Sequence, residues 1–177
     1  MISYESRLNR LRDRPELATR LFRGQYWEER ANCFGTVAWL LDIEKQVEKF
    51  WRQACQEKRA IETNGDGNYI SFPEAFRPGY IGHRPMEIFI QTSPIIKPIV
   101  SLEAGSIFTL QYSQENNELC GFVLRHAGLI LPSGRVFEKE GIDKEDIIRE
   151  DRTAEEIVKG LSDSVKDVEV KYYQVQK

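Results

Sequence analysis

The chain has 177 residues, of which 41% are hydrophobic and 30% charged, and its formal net charge is −3. This composition is typical of a globular domain and excludes a disordered tail, a collagen-like repeat or a multidomain array. Because 25 lysines and arginines are nearly balanced by 28 aspartates and glutamates, no global positive field exists and we expect no nucleic-acid partner. No segment reaches the roughly 20 consecutive apolar residues of a membrane span, and the polar start lacks the apolar centre of a secretory signal. We therefore predict a cytoplasmic protein without a membrane partner, although signal-independent export would leave no trace in the sequence.

The few cysteines and histidines limit the chemistry that the chain can perform. Cys33, Cys55 and Cys120 form an odd set without paired spacing, which argues against a disulfide framework and a structural zinc site. We predict no metal and no cofactor. Any histidine-dependent reaction has two candidates, His83 and His126.

We interpret residues 1–177 as one domain whose first part is helical. Leucine spacing before residue 23 predicts one or two short helices, and apolar residues at three- and four-residue steps from Val37 to Ala54 predict an amphipathic helix of several turns. Residues 62–100, approximately, contain a turn-rich segment and five prolines. We expect an irregular insertion there, with only short regular structure.

The second part of the chain is predicted to be rich in strands. Alternating or continuous apolar residues indicate strands, and a three- to four-residue period indicates one helix. The strands are predicted at Ser106–Tyr112, Gly121–Leu131, Arg135–Lys139 and Val168–Val175, and the helix at Asp143–Leu161. The predicted class is α+β, with an antiparallel sheet packed against the earlier amphipathic helix.

Cys33 is the first candidate catalytic residue, since it lies immediately before the predicted amphipathic helix. The positive end of the helix dipole and the unpaired N–H groups there favour a thiolate over a thiol. The same N–H groups could stabilise the oxyanion of a tetrahedral intermediate. The alternative is that Cys33 is a small buried hydrophobic residue, which is how we interpret Cys55 and Cys120.

His126 lies in an apolar strand, where an imidazole needs partners for both ring nitrogens. We expect it on the strand face that also carries Leu124 and Gly128. If the loop Pro132–Gly134 has three residues, Gly128 stands opposite Glu138, which then becomes a diagonal neighbour of His126. A two-residue loop would place Glu138 on the other face. The alternative is a core histidine bound by backbone groups, with an exposed carboxylate nearby.

Three short segments resemble motifs of the NlpC-type papain-like cell-wall endopeptidases. Asn32–Val37 resembles the Asp-Cys-Ser-Gly-Phe-Val nucleophile motif, Leu102–Ile107 the Leu-x-x-Gly-Asp-Leu strand entry, and His126–Leu131 the His-Val-Gly-Ile-Tyr-Leu catalytic strand. A third polar residue of that family follows at the position of Glu138. Gln25-Tyr26-Trp27 resembles the segment before the family's cysteine. The chain departs from the family at Asn32 and Ser106, where aspartate is usual, and at Phe34, where a small residue is usual.

The resemblance implies a papain-like fold and a cysteine peptidase or amidase with Cys33, His126 and Glu138 as its catalytic triad. It implies a peptide or amide substrate, such as a bacterial cell-wall peptide, with Gln25 and Tyr26 near the substrate. His83, expected in a loop, is a further candidate for substrate contact, although a solvated loop histidine is the simpler interpretation. Two other functions remain open: an acyltransferase or transamidase with the same triad, and a papain-like binding module without activity.

Overall fold

The computed structural model describes residues 3–13, 32–56, 76–77, 80–114, 123–140, 147–161 and 165–176. Within these ranges the chain forms helices and antiparallel strands, so the predicted α+β class is confirmed. None of the helices in the described ranges has the length and apolar character that crossing a bilayer requires. The helices are α1 (Tyr4–Asp13), α2 (Cys33–Leu41), α3 (Glu44–Gln56), α4 (His83–Thr92) and α5 (Ala154–Lys159). The strands are β1 (Phe76–Arg77), β2 (Tyr80–Ile81), β3 (Ile96–Ile99), β4 (Ile107–Gln114), β5 (Val123–Ile130), β6 (Val136–Glu140), β7 (Ile147–Arg149) and β8 (Val165–Val175).

Six strands form one antiparallel sheet in the order β3-β8-β4-β5-β6-β7, and β1 and β2 form a separate pair. The last strand of the chain, β8, lies between β3 and β4 and pairs with both. The strand predicted at Gly121–Leu131 is β5, which lies inside the sheet between β4 and β6. The continuous apolar sequence of β5 follows from this position, because both faces of the sheet are covered there.

Each face of the sheet has its own hydrophobic core. Ile107, Ala127 and Leu129 face α1, α2, α3 and α4, as two of the clusters of buried residues show. Phe108 and Ile130 face the other side, where they pack with α5. Neighbouring residues of β4 and β5 thus alternate between two apolar layers, as expected of central strands.

The predicted amphipathic helix from Val37 to Ala54 is in fact two helices. Asp42 ends α2 with a left-handed backbone (φ 61°), and its N–H bonds to the carbonyls of Ala38 and Trp39. Arg7 of α1 donates 2.6 Å hydrogen bonds to the Asp42 carboxylate and to the Trp39 carbonyl. Aspartate tolerates the left-handed conformation better than most residues, so the helix breaks here and not later. The second predicted N-terminal helix lies outside the described residues.

The expectation of an irregular insertion at about 62–100 is wrong for its described part, residues 76–77 and 80–100. This part contains the ten-residue helix α4 and the edge strand β3. Pro85 lies in the first turn of α4, where its missing N–H costs no helical hydrogen bond. Pro98 lies on β3, which is an edge strand of the sheet formed by the described residues. Prolines at these positions are compatible with regular structure.

The helix predicted at Asp143–Leu161 is also wrong in extent. Ile147 and Ile148 belong to β7 and pair with β6, and α5 begins only at Ala154. Thr153 and Glu156 form a reciprocal capping box that fixes the start of this helix. Ile147 and Ile148 of β7 and the apolar residues of α5 have a combined spacing close to that of one helix. The sequence pattern therefore did not separate the strand from the helix.

Gly128 allows β5 and β6 to pair closely, and a methyl group there should break this contact. A Cβ atom at residue 128 would lie 2.4 Å from Cγ1 of Val136 and 2.9 Å from the carbonyl oxygen of Phe137. We expect Gly128→Ala to lower the free energy of unfolding by about 1–3 kcal/mol through overpacking, measured by urea denaturation.

Gly134→Ala in the same hairpin is the matched control. Gly134 has φ 77° but no atom within 4 Å of an added Cβ. Its cost should be limited to the backbone strain of about 1–2 kcal/mol, without displacement of β6. The account of Gly128 fails if Gly128→Ala leaves both the stability and the reactivity of the site described below unchanged.

Candidate active site

Asn32 fixes the beginning of α2, the helix that carries Cys33. Its Oδ1 accepts hydrogen bonds from the N–H groups of Gly35 at 2.8 Å and Ile81 at 3.3 Å. Its Nδ2 donates to the carbonyl of Ile81 at 2.6 Å. An aspartate could accept these bonds but could not donate the last one. The departure from the family's aspartate thus has a physical reason, since the buried amide ties the helix to β2.

Cys33 lies where the pairing between β5 and β6 stops. The register runs from Ile130 to Gly128, which is opposite Glu138, and goes no further along β5. The N–H of Leu131 donates to Arg135 across this hairpin, so by alternation the N–H of Ala127 also points toward the β6 side. The same N–H lowers the pKa of the Cys33 thiol, which places the start of α2 beside this part of β5.

A β-bulge at Arg125 sets the direction of the neighbouring side chains. Opposite β5, the register passes from Leu110–His126 directly to Gln111–Leu124, so Arg125 is the extra residue. Leu124 therefore packs with Ala127 in the helix-side core. The prediction that Leu124 shares the face of His126 is wrong, because a period of two cannot cross a bulge.

His126 and Glu138 are in direct contact, as the three-residue loop predicted. Gly128 pairs with Glu138, and Nε2 of His126 lies 2.8 Å from Oε2 of Glu138. The Glu138 side chain is 1% exposed and that of His126 18% exposed. Since Nε2 faces the carboxylate, Nδ1 is the ring nitrogen that remains to interact with Cys33, whose pKa His126 lowers.

Arg152 is a fourth member of the site that the sequence analysis missed. Its Nε and Nη2 donate to Oε1 of Glu138 at 2.9 Å and 2.6 Å. Its carbonyl accepts the N–H of Val136 at 2.8 Å, so Arg152 is joined to β6 twice. Both oxygens of the buried carboxylate therefore have a partner. The sequence contained one sign of this role, an arginine directly before the helix cap Thr153. The prediction of a single helix over Asp143–Leu161 placed Arg152 inside that helix, so the sign was missed.

The site carries alternating charges. Burial alone would raise the pKa of the Cys33 thiol, but the charge and hydrogen bond of His126 and the N–H groups of Ala127 and Phe34 lower it overall. Burial would lower the pKa of His126, yet Cys33 and Glu138 raise it to about 10. Burial would likewise raise the pKa of Glu138, and its bonds to His126 and Arg152 lower it. Both shifts favour a thiolate next to an imidazolium.

The remaining predicted residues have different outcomes. His83 is the first residue of α4 and not part of a loop. Burial and the positive charge of Arg125 lower the pKa of His83, which places it near the residue that precedes His126. Gln25 and Tyr26 lie outside the described residues, and their roles stay predictions. In the described ranges, no group of three histidine, cysteine, aspartate or glutamate side chains is arranged to hold a metal ion.

Comparisons of the chain with models of protein families, with curated proteins and with solved structures found no match. What the chain does has to be inferred from the arrangement of Cys33, His126, Glu138 and Arg152, together with the short motifs in its sequence.

Removing Arg152 should destabilise the protein much more than removing an exposed arginine. Arg152→Gln leaves a buried carboxylate with half of its partners, and we expect a loss of about 3 kcal/mol at pH 7 by urea denaturation. The control is Arg12→Gln, because Arg12 makes a similar two-nitrogen contact with the partly exposed Glu150. An exposed pair of this kind contributes at most about 1 kcal/mol.

The difference between wild type and Arg152→Gln should also depend on pH. The pKa of Glu138 is below its ordinary value of 4.5 in the folded protein, so its ionised form stabilises the fold above that pH. This contribution is lost as the pH falls through the folded-state pKa, and the two proteins should converge there. Equal losses for Arg152→Gln and Arg12→Gln would contradict the role assigned to Arg152.

Proposed function

We propose that the protein is a cysteine hydrolase, a peptidase or amidase, that cleaves an amide bond through Cys33, His126 and Glu138. The observation that supports this most is the 2.8 Å contact between Nε2 of His126 and the buried Glu138 carboxylate, next to a cysteine whose pKa His126 lowers. Three elements, α2, β5 and β6, contribute one residue each. This is the nucleophile, base and orienting group of acyl-transfer enzymes.

In the first step the Cys33 thiolate attacks the amide carbonyl carbon and forms a carbon–sulfur bond. The negative charge moves to the carbonyl oxygen. The N–H of Cys33 is a suitable donor for this oxyanion, because first-turn N–H groups have no acceptor within the helix. The imidazolium of His126 then gives its Nδ1 proton to the leaving nitrogen, the carbon–nitrogen bond breaks, and an acyl-enzyme remains.

In the second step a water molecule replaces the amine. The neutral imidazole of His126 removes a proton from the water, and the resulting hydroxide equivalent attacks the thioester carbon. The carbon–sulfur bond breaks, an acid leaves, and the thiolate and imidazolium are restored. Glu138 keeps the ring oriented and stabilises its positive charge in both steps, without taking the proton itself.

Arg152 prevents Glu138 from acting as a general acid or base. Because Arg152 and His126 keep the pKa of the buried carboxyl low, Glu138 remains ionised throughout the cycle. The negative charge of the Glu138 carboxylate, next to Nε2, favours the protonated form of His126 beside the thiolate. The buried carboxylate of Glu138 and its partner Arg152 thus support one reactive pair.

The structural support for a papain-like fold is the packing of the nucleophile helix α2 against the antiparallel sheet. The motif resemblance adds cell-wall peptides to the substrates that should be tested. A peptide or another amide fits the chemistry of the site equally well.

Turnover of amide substrates should depend on Cys33. We would incubate the protein with cell-wall muropeptides and with a panel of peptide amides in H₂¹⁸O, and identify products by mass spectrometry. The wild type should form a new carboxylate that contains one ¹⁸O atom. Cys33→Ala should lose about a thousandfold or more in turnover, because the nucleophile is gone, while its melting temperature is retained.

Cys55→Ala is the matched control and should keep full turnover, since Cys55 lies on α3 and is none of the three proposed catalytic residues. Full turnover by Cys33→Ala would refute the proposal. Addition of hydroxylamine distinguishes a transferase, whose product would carry the added amine in preference to ¹⁸O. If neither product forms and Cys33 has the reactivity of an ordinary thiol, a binding module is the better description.

A further inference from the structure

Asn32 uses one of the N–H groups that lie free at the start of α2. The first hydrogen bond of this helix runs from the N–H of Thr36 to the carbonyl of Asn32 at 2.9 Å. The N–H groups without an acceptor within the helix are those of Cys33, Phe34 and Gly35. Oδ1 of Asn32 accepts the last of them, that of Gly35. The N–H of Phe34 lowers the pKa of the Cys33 thiol, and the N–H of Cys33 is the donor proposed above for the oxyanion. The cap therefore leaves two donors for the reaction.

The same side chain joins α2 to the start of another helix. Its Nδ2 donates to the carbonyl of Ile81 at 2.6 Å, and its Oδ1 accepts the N–H of Ile81 at 3.3 Å. An amide and a peptide unit thus pair through two hydrogen bonds, and both residues are buried. Gly82, which follows Ile81, is the N-cap of α4. Asn32 therefore holds the starts of α2 and α4 close together.

These two helix starts differ in charge from those of the other described helices. The first turns of α1, α3 and α5 contain acidic residues, namely Glu5, Glu44, and Glu155 with Glu156. Carboxylates at such positions stabilise a helix through its dipole. The first turns of α2 and α4 contain none, and α2 has no charged side chain from Cys33 to Leu41. A thiolate at Cys33 thus meets no carboxylate in either first turn.

The charged groups around Cys33 come from other elements. His126 of β5 is the charged group that lowers the pKa of the thiol, and Glu138 of β6 lies behind the imidazole. On α4, burial lowers the pKa of His83, and Arg84 forms an ion pair within its own helix. The balance of charge at the sulfur therefore depends on His126, and a new anion at the helix start would oppose it.

A carboxylate in place of the Asn32 amide would act against the nucleophile. Aspartate caps helices as well as asparagine does, so the stability of α2 alone does not require the amide. An ionised carboxylate within one helical turn of the Cys33 sulfur would disfavour the thiolate by repulsion of like charges. It would also have no hydrogen to donate to the Ile81 carbonyl. The amide avoids both effects.

We propose that Asn32 is a positioning residue for the nucleophile, whose uncharged amide holds the start of α2 to β2 and leaves the N–H groups of Cys33 and Phe34 to the reaction. The inference rests on the proposed function and gives a role in it to a side chain that does not touch the reacting atoms. It predicts that an amide and a carboxylate of nearly the same shape differ in their effect on Cys33.

The pH dependence of alkylation separates this role from a purely structural one. We would measure the rate at which Cys33 reacts with iodoacetamide across the pH range, by mass spectrometry of peptides, with Cys55 as the internal reference. The sulfur displaces iodide from carbon, and the rate follows the thiolate fraction. The variants are Asn32→Asp, Asn32→Ser and, as a control of equal charge change, Asn9→Asp at an exposed position of α1.

Asn32→Asp should move the midpoint of the profile to higher pH, so that Cys33 is alkylated about tenfold more slowly on its rising part. The plateau, where the thiol is fully ionised, should stay within about twofold of wild type. Asn32→Ser keeps an uncharged cap, so its midpoint should stay in place while its melting temperature falls with the loss of the bonds to Ile81. Asn9→Asp should change neither quantity.

Failure of this inference and failure of the proposed function are distinguishable. If Cys33 in the wild type reacts no faster than Cys55 at pH 6, the proposed function fails and this inference fails with it. If Cys33 is rapidly alkylated but Asn32→Asp has the wild-type midpoint, or Asn32→Ser moves the midpoint as far, only the role of Asn32 is refuted. An equal shift in Asn9→Asp would show a general charge effect and would also refute it.

Asn32→Ser keeps the proposal testable if Asn32→Asp does not fold. A wild-type midpoint with a lower melting temperature then supports both the uncharged cap and the link to β2. A midpoint at higher pH refutes the first, and an unchanged melting temperature refutes the second.

Discussion

The candidate site depends on the place where the hydrogen-bond ladder between β5 and β6 ends. Pairing stops at Gly128 and Glu138, so the next outward N–H, that of Ala127, needs an acceptor. This N–H lowers the pKa of the Cys33 thiol together with the N–H of Phe34, so the start of α2 lies beside β5 where the ladder ends. The position of the candidate nucleophile thus follows from where the backbone pairing stops.

Alternating charges on neighbouring side chains then stabilise the site that the backbone positions. Cys33, His126, Glu138 and Arg152 form a series of negative, positive, negative and positive groups, each next to its opposite. Burial opposes the charges of Cys33, His126 and Glu138, and each of these charges is favoured by an opposite neighbour. Removing any one of them changes the protonation of its neighbours. This coupling explains why a buried glutamate, otherwise rare in a strand, is retained beneath a histidine.

Turn length and strand alternation were enough to predict the part of the site that depends on a single hairpin. The three-residue loop after Leu131 fixed the register, and the register brought Glu138 to His126. The bulge at Arg125 and the contact of Arg152 depend on packing between distant segments, which a period of two or of 3.6 cannot reveal. The same limit explains the missed α4, where proline in the first turn resembled a break. Long-range pairing, not composition, decides these elements.

A nitrogen-detected NMR titration of the two histidine rings tests the central claim most directly. His126→Gln assigns the signals, and His83, whose pKa is lowered, serves as the reference in the same sample. The ion pair predicts that His126 carries protons on both nitrogens from neutral pH to about 10, and that its pKa falls markedly in Cys33→Ala. An imidazole that titrates near 6.5, or one whose pKa does not change when Cys33 is removed, would contradict a thiolate–imidazolium pair beside β5.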